Sequence, residues 1–358
     1  MELNRLIIVT LLVGSLVLSG CGESSPPVTA HPELDRRAAI PGGAVKIRPE
    51  IDQHPPILHS AEYEQPVPLP DSINTAGVED SPFILPDGTS LYFFFTPDAN
   101  TPAEEQLLDG VSGIWVSHKI GDTWSEAARV WLQDPGKLAL DGAVCIQGSV
   151  MWFGSAREGY SGLNVFTAEW IDGKWTDWQY VGDRLMKEIQ LGELHVLGDA
   201  IFFSSDRPGG MGGYDIWVTA RSGDTWADPI NIEAVNTWAV EMQPYVSDDG
   251  SELWFTRVAN GGPEVFRSRL IDGEWSEPEL IVSDLSGEPT LDTAGNLYFV
   301  HAFYVDDQKI ETDIYVAFGR FPRGCTGIQE SSRGRAGERR CGIIPPGCFF
   351  CLHGQGGR

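Results

Sequence analysis

The chain repeats itself about every fifty residues, and this period constrains the fold more than any other feature. Trp115, Phe166, Trp217, Phe266 and Tyr315 hold equivalent places in GIWVS, NVFTA, DIWVT, EVFRS and DIYVA, at spacings of 51, 51, 49 and 49. A second series precedes them, with Phe93, Phe153, Phe203, Phe255 and Phe299 aligned in LYFFF, MWFGS, IFFSS, LWFTR and LYFVH. A third follows the first four: Trp124, Trp175, Trp226 and Trp275, in GDTWSEA, DGKWTDW, GDTWADP and DGEWSEP. Upstream of each unit stand SPFILPDG, AVCIQG, ELHVLG, QPYVSDDG and EPTLDTAG. Each unit reads as four short strands joined by D-G or G-D turns, which favour hairpins. A fixed period of this length marks a repeat architecture.

Composition agrees with an all-β chain: 41 Gly, 24 Pro and 12 Trp point to many turns and an aromatic core. Five copies of a four-stranded antiparallel meander predict a five-bladed β-propeller over residues 62–321. The fifth unit has no Trp strand. The missing strand stands at the other end, because YEQPVPLP (63–70) parallels WADPINIE (226–233) and SINTAGVE (72–79) parallels AVNTWAVE (234–241). An N-terminal strand is therefore expected to close the last blade and leave no open edge.

The units resemble WD40-like, TolB-type propeller repeats, best seen in SSDRPGGMGGYDIWV. That likeness implies the fold and says little of function. The glycine-rich 208–213 stretch is expected to be an ordinary connection whose glycines supply positive φ. A phosphate loop is excluded, since no Gly-Lys-Ser/Thr and no following helix pattern appear. The GDTW turns match the Asp-boxes of sialidase propellers only in part, with Lys119 and Arg221 where that motif carries Asp.

The start of the chain bears on the compartment. Arg5 precedes an apolar run, Leu6 to Leu18, too short to span a membrane as a helix but fitting a signal-peptide core. LSGC at 18–21 resembles a bacterial lipobox. The resemblance implies a signal peptide at 1–20, cleavage before Cys21, lipidation of its thiol and acylation of the new N-terminus. Gly22, rather than Asp, is compatible with sorting to the outer membrane. The expected location is the bacterial cell envelope, facing the periplasm or the cell surface, with the outer membrane favoured over the inner. Residues 21–61 lack periodicity and read as a flexible tether.

With 51 acidic against 25 basic residues, the net charge of -26 argues against a nucleic-acid partner. An envelope protein, or a peptidoglycan or glycan ligand, is the expected partner, and the chain is expected to be a monomer. Strand topology places candidate residues on one rim. Carboxylates cluster at the starts of the inner strands: Glu79, Asp80, Asp141, Glu193, Glu241 and Glu288. The second-to-third connections supply Arg157, Arg207 and Arg257, with Tyr160, Tyr214 and Asn260 nearby. Alternating carboxylates and guanidinium groups suit hydroxyl-rich or zwitterionic ligands. The competing reading is structural: Asp206–Arg207 and its counterparts pair with each other, and the acids cap turns.

A non-catalytic binding or scaffolding module is thus the leading expectation. The alternative is a five-bladed glycoside hydrolase, with Asp80 as base, Asp141 as pKa-tuning acid and Glu193 as proton donor. No Asp-Pro follows the first acid, and the repeats are more regular than in such enzymes. The dispersed His54, His59, His118, His195 and His301 show no ligand spacing, so no metal or cofactor is expected. Residues 322–358 are rich in Gly, Arg and Cys, and Cys348 and Cys351 form a CxxC without a recognised zinc spacing. They read as a disordered tail.

Overall fold

Alternation of apolar and polar residues, with turn residues at each end, gives short antiparallel strands throughout. The computed structural model describes residues 30–259, 261–305 and 308–320. The described residues belong to one compact unit; the signal-peptide region, Cys21 and the tail from residue 322 lie outside the described residues.

The chain is all-β and antiparallel meanders recur along it. The first runs through Val78–Ile84, Ser90–Thr96 and Gly113–Ile120, with Thr123–Trp124 and Ala128–Arg129 on its outer edge. The second is Ala139–Gln147, Val150–Arg157, Asn164–Ile171 and Lys174–Tyr180. The third is Leu194–Leu197, Ala200–Ser205 and Asp215–Ser222, edged by Thr225–Trp226 and Ile230–Asn231. The fourth is Val240–Val246, Glu252–Ala259 and Gly262–Ile271, edged by Glu274–Trp275 and Glu279–Ser283. The fifth is Ser286–Leu291, Leu297–Val305 and Gln308–Ala317. Its outer neighbour is Val67–Pro68, which pairs antiparallel with it through Val67–Val316 and Pro68–Tyr315.

The aromatic periodicity is a cross-strand register. Phe93 faces Trp115, Phe153 faces Phe166, Phe203 faces Trp217, Phe255 faces Phe266 and Phe299 faces Tyr315. All five phenylalanines are buried. The third aromatic series joins neighbouring meanders. Trp175 Nε1 donates to Tyr92 Oη at 3.3 Å, Trp226 meets Trp152 edge-on at 6.3 Å, and Trp275 meets Phe202 at 6.4 Å. Tyr63, the counterpart of Trp226, meets Trp254 edge-on at 6.2 Å. Such pairs contribute about 0.5–1.5 kcal/mol each beyond the area they bury.

The parallel between 72–79 and 234–241 has a physical cause. The Asn74 side chain accepts from Ile314 N–H and donates to Ile314 C=O, both at 3.0 Å; Asn236 does the same to Ile216 at 2.7 and 2.8 Å. Each Asn thus imitates a strand residue at the outer edge. Thr75 and Thr237 then hydrogen-bond Glu79 and Glu241 through N–H and hydroxyl.

Two expectations need correction. Residues 30–61 are packed against the sheets rather than forming a free tether. Arg36 is buried against Glu79, Lys46 meets Glu311 and Asp313, Asp52 meets His301 at 2.9 Å, and Ile57–Leu58 pairs with the outer strand of the fourth meander. In the 208–213 connection only Gly209 has positive φ, at +98°. Gly210 and Gly212 are required instead by close approach, to the Asp215 carboxylate and to the carbonyls of Ala239 and Thr237.

Candidate functional site

A β-bulge recurs at one place in four of the first strands. The register shifts between Asp80 and Phe83, Gly142 and Cys145, Met242 and Tyr245, and Gly287 and Thr290. Inside each bulge one residue takes a left-handed conformation: Ser81, Ala143, Gln243 and Glu288, at φ 47°, 49°, 56° and 58°. Such residues are disfavoured outside glycine and mark a bulge that redirects side chains. In the third meander the strand begins later, and Glu193 takes the equivalent position, its carbonyl accepting from Ser204 N–H.

All five first strands line one cavity with about 450 Å³ of empty space, part of it open to solvent. Its lining is tiered by register. The first tier is Ser81, Ala143, Glu193, Gln243 and Glu288; the second is Pro82, Val144, Leu194, Pro244 and Pro289; the third is Phe83, His195, Tyr245 and Thr290. The chain therefore builds a polar tier over an apolar one and sets an aromatic tier with His195 beneath.

The polar tier holds crowded acids. Glu288 accepts from Ser81 N–H at 2.5 Å and from the Gln243 amide at 2.6 Å. Burial, then the charges of Asp80 and Glu193, push the Glu288 carboxyl well above the usual carboxylate range. Burial and then Asp80 push Glu193 up to about 7, against a hydrogen bond with Gln243. Below, burial holds His195 down to about 3, so the imidazole is neutral at physiological pH. Burial also raises the Cys145 thiol to about 12, and its Sγ lies 3.8 Å from His195 Nδ1. The Tyr245 ring lies 4.5 Å from that of His195, and its hydroxyl donates to Leu291 C=O.

The sequence candidates divide into two groups. Glu193 and Glu288 line the cavity, and Asp80, outside its lining, lies beside both. Tyr214 joins them electrostatically: burial, then Asp206 and Glu193, raise its phenol. Glu79, Asp141 and Glu241 are fully buried away from the cavity tier and paired with Arg36, Arg157 and Arg257 at 2.7, 2.9 and 2.7 Å. Arg157 sits among the rings of Phe153, Phe166 and Trp178, and Tyr160 packs edge-on to Phe166 at 4.9 Å. These arginines are engaged in the architecture and do not line the axial cavity; Arg157 borders a separate pocket with Lys137, Glu158 and Trp178. Arg207 does not pair with Asp206; it donates to Ile189 C=O and lies over Trp217. Asn260 lies outside the described residues.

Gln243 and Arg36 are residues that sequence reasoning passed over, and His195 was considered only as one of the dispersed histidines. Gln243 and His195 were accessible from the repeat register, since they align with Ser81 and Phe83. Arg36 carried no such signal. Among the described residues, no group of three or more His, Cys, Asp or Glu is placed to hold a metal ion.

No family model matches the chain, and no curated protein matches it by sequence. Solved structures are similar to it at low identity. TolB from Acinetobacter baumannii is 13% identical over 70% of this chain, at a TM-score of 0.39, and the chain spans 56% of that protein's length. An endo-arabinase from Bacteroides thetaiotaomicron VPI-5482 is 16% identical over 72% of this chain and 98% of its own, at 0.45. A protein of unknown function from Dyadobacter fermentans DSM 18053 is 13% identical over 74% of this chain and 100% of its own, at 0.44.

Proposed function

We propose that the chain is a five-bladed β-propeller, anchored at the bacterial envelope through lipid on Cys21, that binds a polar ligand at its axial mouth without turning it over. Three features support the ring. The meanders share one cross-strand aromatic register, their first strands touch in cyclic order from first to fifth and back to first, and residues 63–74 pair onto the fifth as 226–236 do onto the third. The observation that carries the binding reading is that Glu193, Gln243 and Glu288, with Asp80 beside the two glutamates, line a cavity to which every first strand contributes. With Arg157 and Arg257 committed to buried pairs, recognition falls to these acids and to Gln243. The ligand classes this fits are a glycan, a peptidoglycan fragment or an exposed segment of an envelope protein.

A second reading, glycoside hydrolysis, is favoured by one observation. A carboxyl raised to about 7, as Glu193 is, keeps about half its population protonated at neutral pH and can donate to a leaving group, with Asp80 as the opposing base. Asp141 takes no part in it, being locked to Arg157, and Glu288 stands where the tuning acid would be. The two readings separate in one experiment: glycan and peptidoglycan-fragment binding, together with aryl-glycoside hydrolysis, for the wild type and Glu193→Gln. Saturable binding without turnover is expected. Turnover abolished by Glu193→Gln would put the hydrolase first, and no Glu193-dependent binding of any kind would remove the axial site.

A further inference from the structure

The first, second and fourth meanders each place a buried acid just before the bulge: Glu79, Asp141 and Glu241. Glu79 and Glu241 are capped by the preceding connection, where Thr75 and Thr237 each give an N–H and a hydroxyl to the carboxylate. The matching connection of the second meander reads DPGKLALD (134–141), with Gly136 at the Asn position and Lys137 at the Thr position. Lysine has no hydroxyl to give, and aspartate is a methylene shorter than glutamate. Asp141 Oδ1 accepts from Ser155 Oγ at 2.6 Å and from Arg157 at 2.9 Å, but the buried Oδ2 has no hydrogen-bond partner among the described residues.

The connection that lacks the cap borders a pocket. Gln133, Lys137, Leu138, Arg157, Glu158 and Trp178 line about 550 Å³ of empty space, part of it open to solvent. The pocket shares no lining residue with the axial cavity. Arg157 is only 5% exposed and yet lines it. The five N–H donors of its guanidinium meet three acceptors: Ser155 Oγ, Asp141 Oδ1 and Leu132 C=O. The same guanidinium lies 4.5 Å over the Trp178 ring, so the cation and the indole hold each other in place at the pocket wall.

The lining selects the ligand chemistry. Lys137 is held by Glu158 at 2.9 Å and Arg157 by Asp141 at 2.9 Å, so both cations are already balanced. The remaining charge at the pocket is Asp134, which is exposed to water and opposes an anion. Balanced pairs offer little to a free ion, but they give strong, oriented hydrogen bonds to neutral hydroxyls. The Gln133 amide adds donor and acceptor capacity, and Trp178 and Leu138 add apolar surface. The matching ligand has an apolar face and a ring of hydroxyls at its edge, which describes a saccharide.

We propose that the pocket between the first and second meanders is a second binding site, apart from the axial one, and that it takes a saccharide ring. The apolar face of the ring rests on Trp178 and Leu138, and its hydroxyls meet Gln133, Lys137 and Arg157. The site stands whether or not the axial cavity binds a ligand. The ring can be a free saccharide or one unit of a glycan chain, and the test distinguishes these sources.

The test is a saturation-transfer NMR titration of the full-length protein in a detergent that carries no sugar. The probes are the methyl glycosides of glucose, galactose, mannose and N-acetylglucosamine, together with cellotetraose and chitotetraose. Cyclohexanecarboxylate and cyclohexylammonium serve as charged rings of the same size. At least one saccharide should bind, and both charged rings should bind at least roughly tenfold more weakly. Changing Gln133→Ala and Lys137→Ala together should weaken the saccharide at least roughly tenfold. Leu138→Trp, at a position 44% exposed, should weaken it by filling the pocket without touching the buried pairs. Melting temperatures of the variants show that the fold is kept. Binding of a methyl glycoside identifies a free ring; binding of a tetrasaccharide alone identifies a glycan chain. No transfer to any saccharide, or equal binding of a charged ring, overturns the proposal. Saccharide binding that survives the 133, 137 and 138 variants but is lost in Glu193→Gln also overturns it, and assigns the ligand to the axial cavity.

Discussion

At the residue scale, the fold treats its buried acids in two ways, and the difference is a matter of counter-charge. Asp141 and Glu241 each have an arginine on the neighbouring strand, so their charge is balanced inside one meander. Glu193 has only Asp80, Gln243 and the cavity, and burial raises its carboxyl from the usual 4.5 to about 7. A carboxyl whose pKa is higher in the folded state than in the unfolded one binds its proton more tightly when folded. Its stabilising effect is therefore intact below about pH 4.5 and lost as pH rises through about 7. At about 1.4 kcal/mol per pH unit this amounts to roughly 3 kcal/mol from Glu193 alone. Glu288, shifted in the same direction, adds to it. Thermal unfolding followed from pH 6.5 to 8, above the range in which the unfolded chain protonates His195, should thus show stability falling with pH, and Glu193→Gln should flatten the slope and gain stability at pH 8. An identical slope in the variant would show that Glu193 is not a buried, proton-holding group.

At the scale of elements, each meander is finished by chain from elsewhere when its own sequence lacks the part. The fourth meander supplies Arg257 to Glu241, and Arg257 also donates to Val235 C=O at 2.8 Å. The first meander has Phe95 at the matching position, and Arg36 fills the role from the N-terminal helix Arg36–Ala39, donating to Glu79 and to Ile73 C=O. Tyr63 stands in for the missing fifth tryptophan in the same way, and Asn74 for an outer strand residue. Asn74→Ala leaves the buried N–H of Ile314 without a partner, while the Ile314 C=O keeps its bond from Leu69 N–H, so the cost is about 1–3 kcal/mol for one unpaired group. A loss of roughly 1–3 kcal/mol is expected, matched by Asn236→Ala, which leaves the Ile216 N–H unpaired while Ile232 N–H still donates to the Ile216 C=O. Chemical denaturation measures both. A loss below about 0.5 kcal/mol for Asn74→Ala alone would mean that residues 67–74 do not hold the edge of the fifth meander.

At the scale of the whole molecule, the packing of residues 30–61 changes what an anchor on Cys21 would do. Eight residues separate Cys21 from residue 30, and the nine Cα steps between them reach at most about 30 Å when extended. A lipid there would hold the domain close to the membrane surface rather than on a long leash. Cys21→Ala is expected to move the protein from the membrane fraction to the soluble one. Retention of the variant in the membrane after a carbonate wash would show that lipid on Cys21 is not the anchor.

The sequence by itself determined the strands, their order and the aromatic register, because a period of about fifty residues survives only where the same packing recurs in every unit. Phe93 facing Trp115, and Tyr63 standing for a tryptophan, were legible for that reason. The acids were legible as a group but not as individuals. Glu79 and Asp80 are adjacent in sequence, yet a strand points successive side chains to opposite sides, so Glu79 goes to Arg36 and Asp80 towards the cavity. Only the tertiary structure decided which acids obtain a counter-ion. Arg36 lies 43 residues from Glu79, outside any repeat, and no local pattern links the two. The bulges that bring Glu288 beside Ser81 and Gln243 are likewise set by the meeting of strands distant in sequence. Charge pairing in a core depends on which side chains share a low-dielectric space, and that is fixed by tertiary packing rather than by neighbours along the chain.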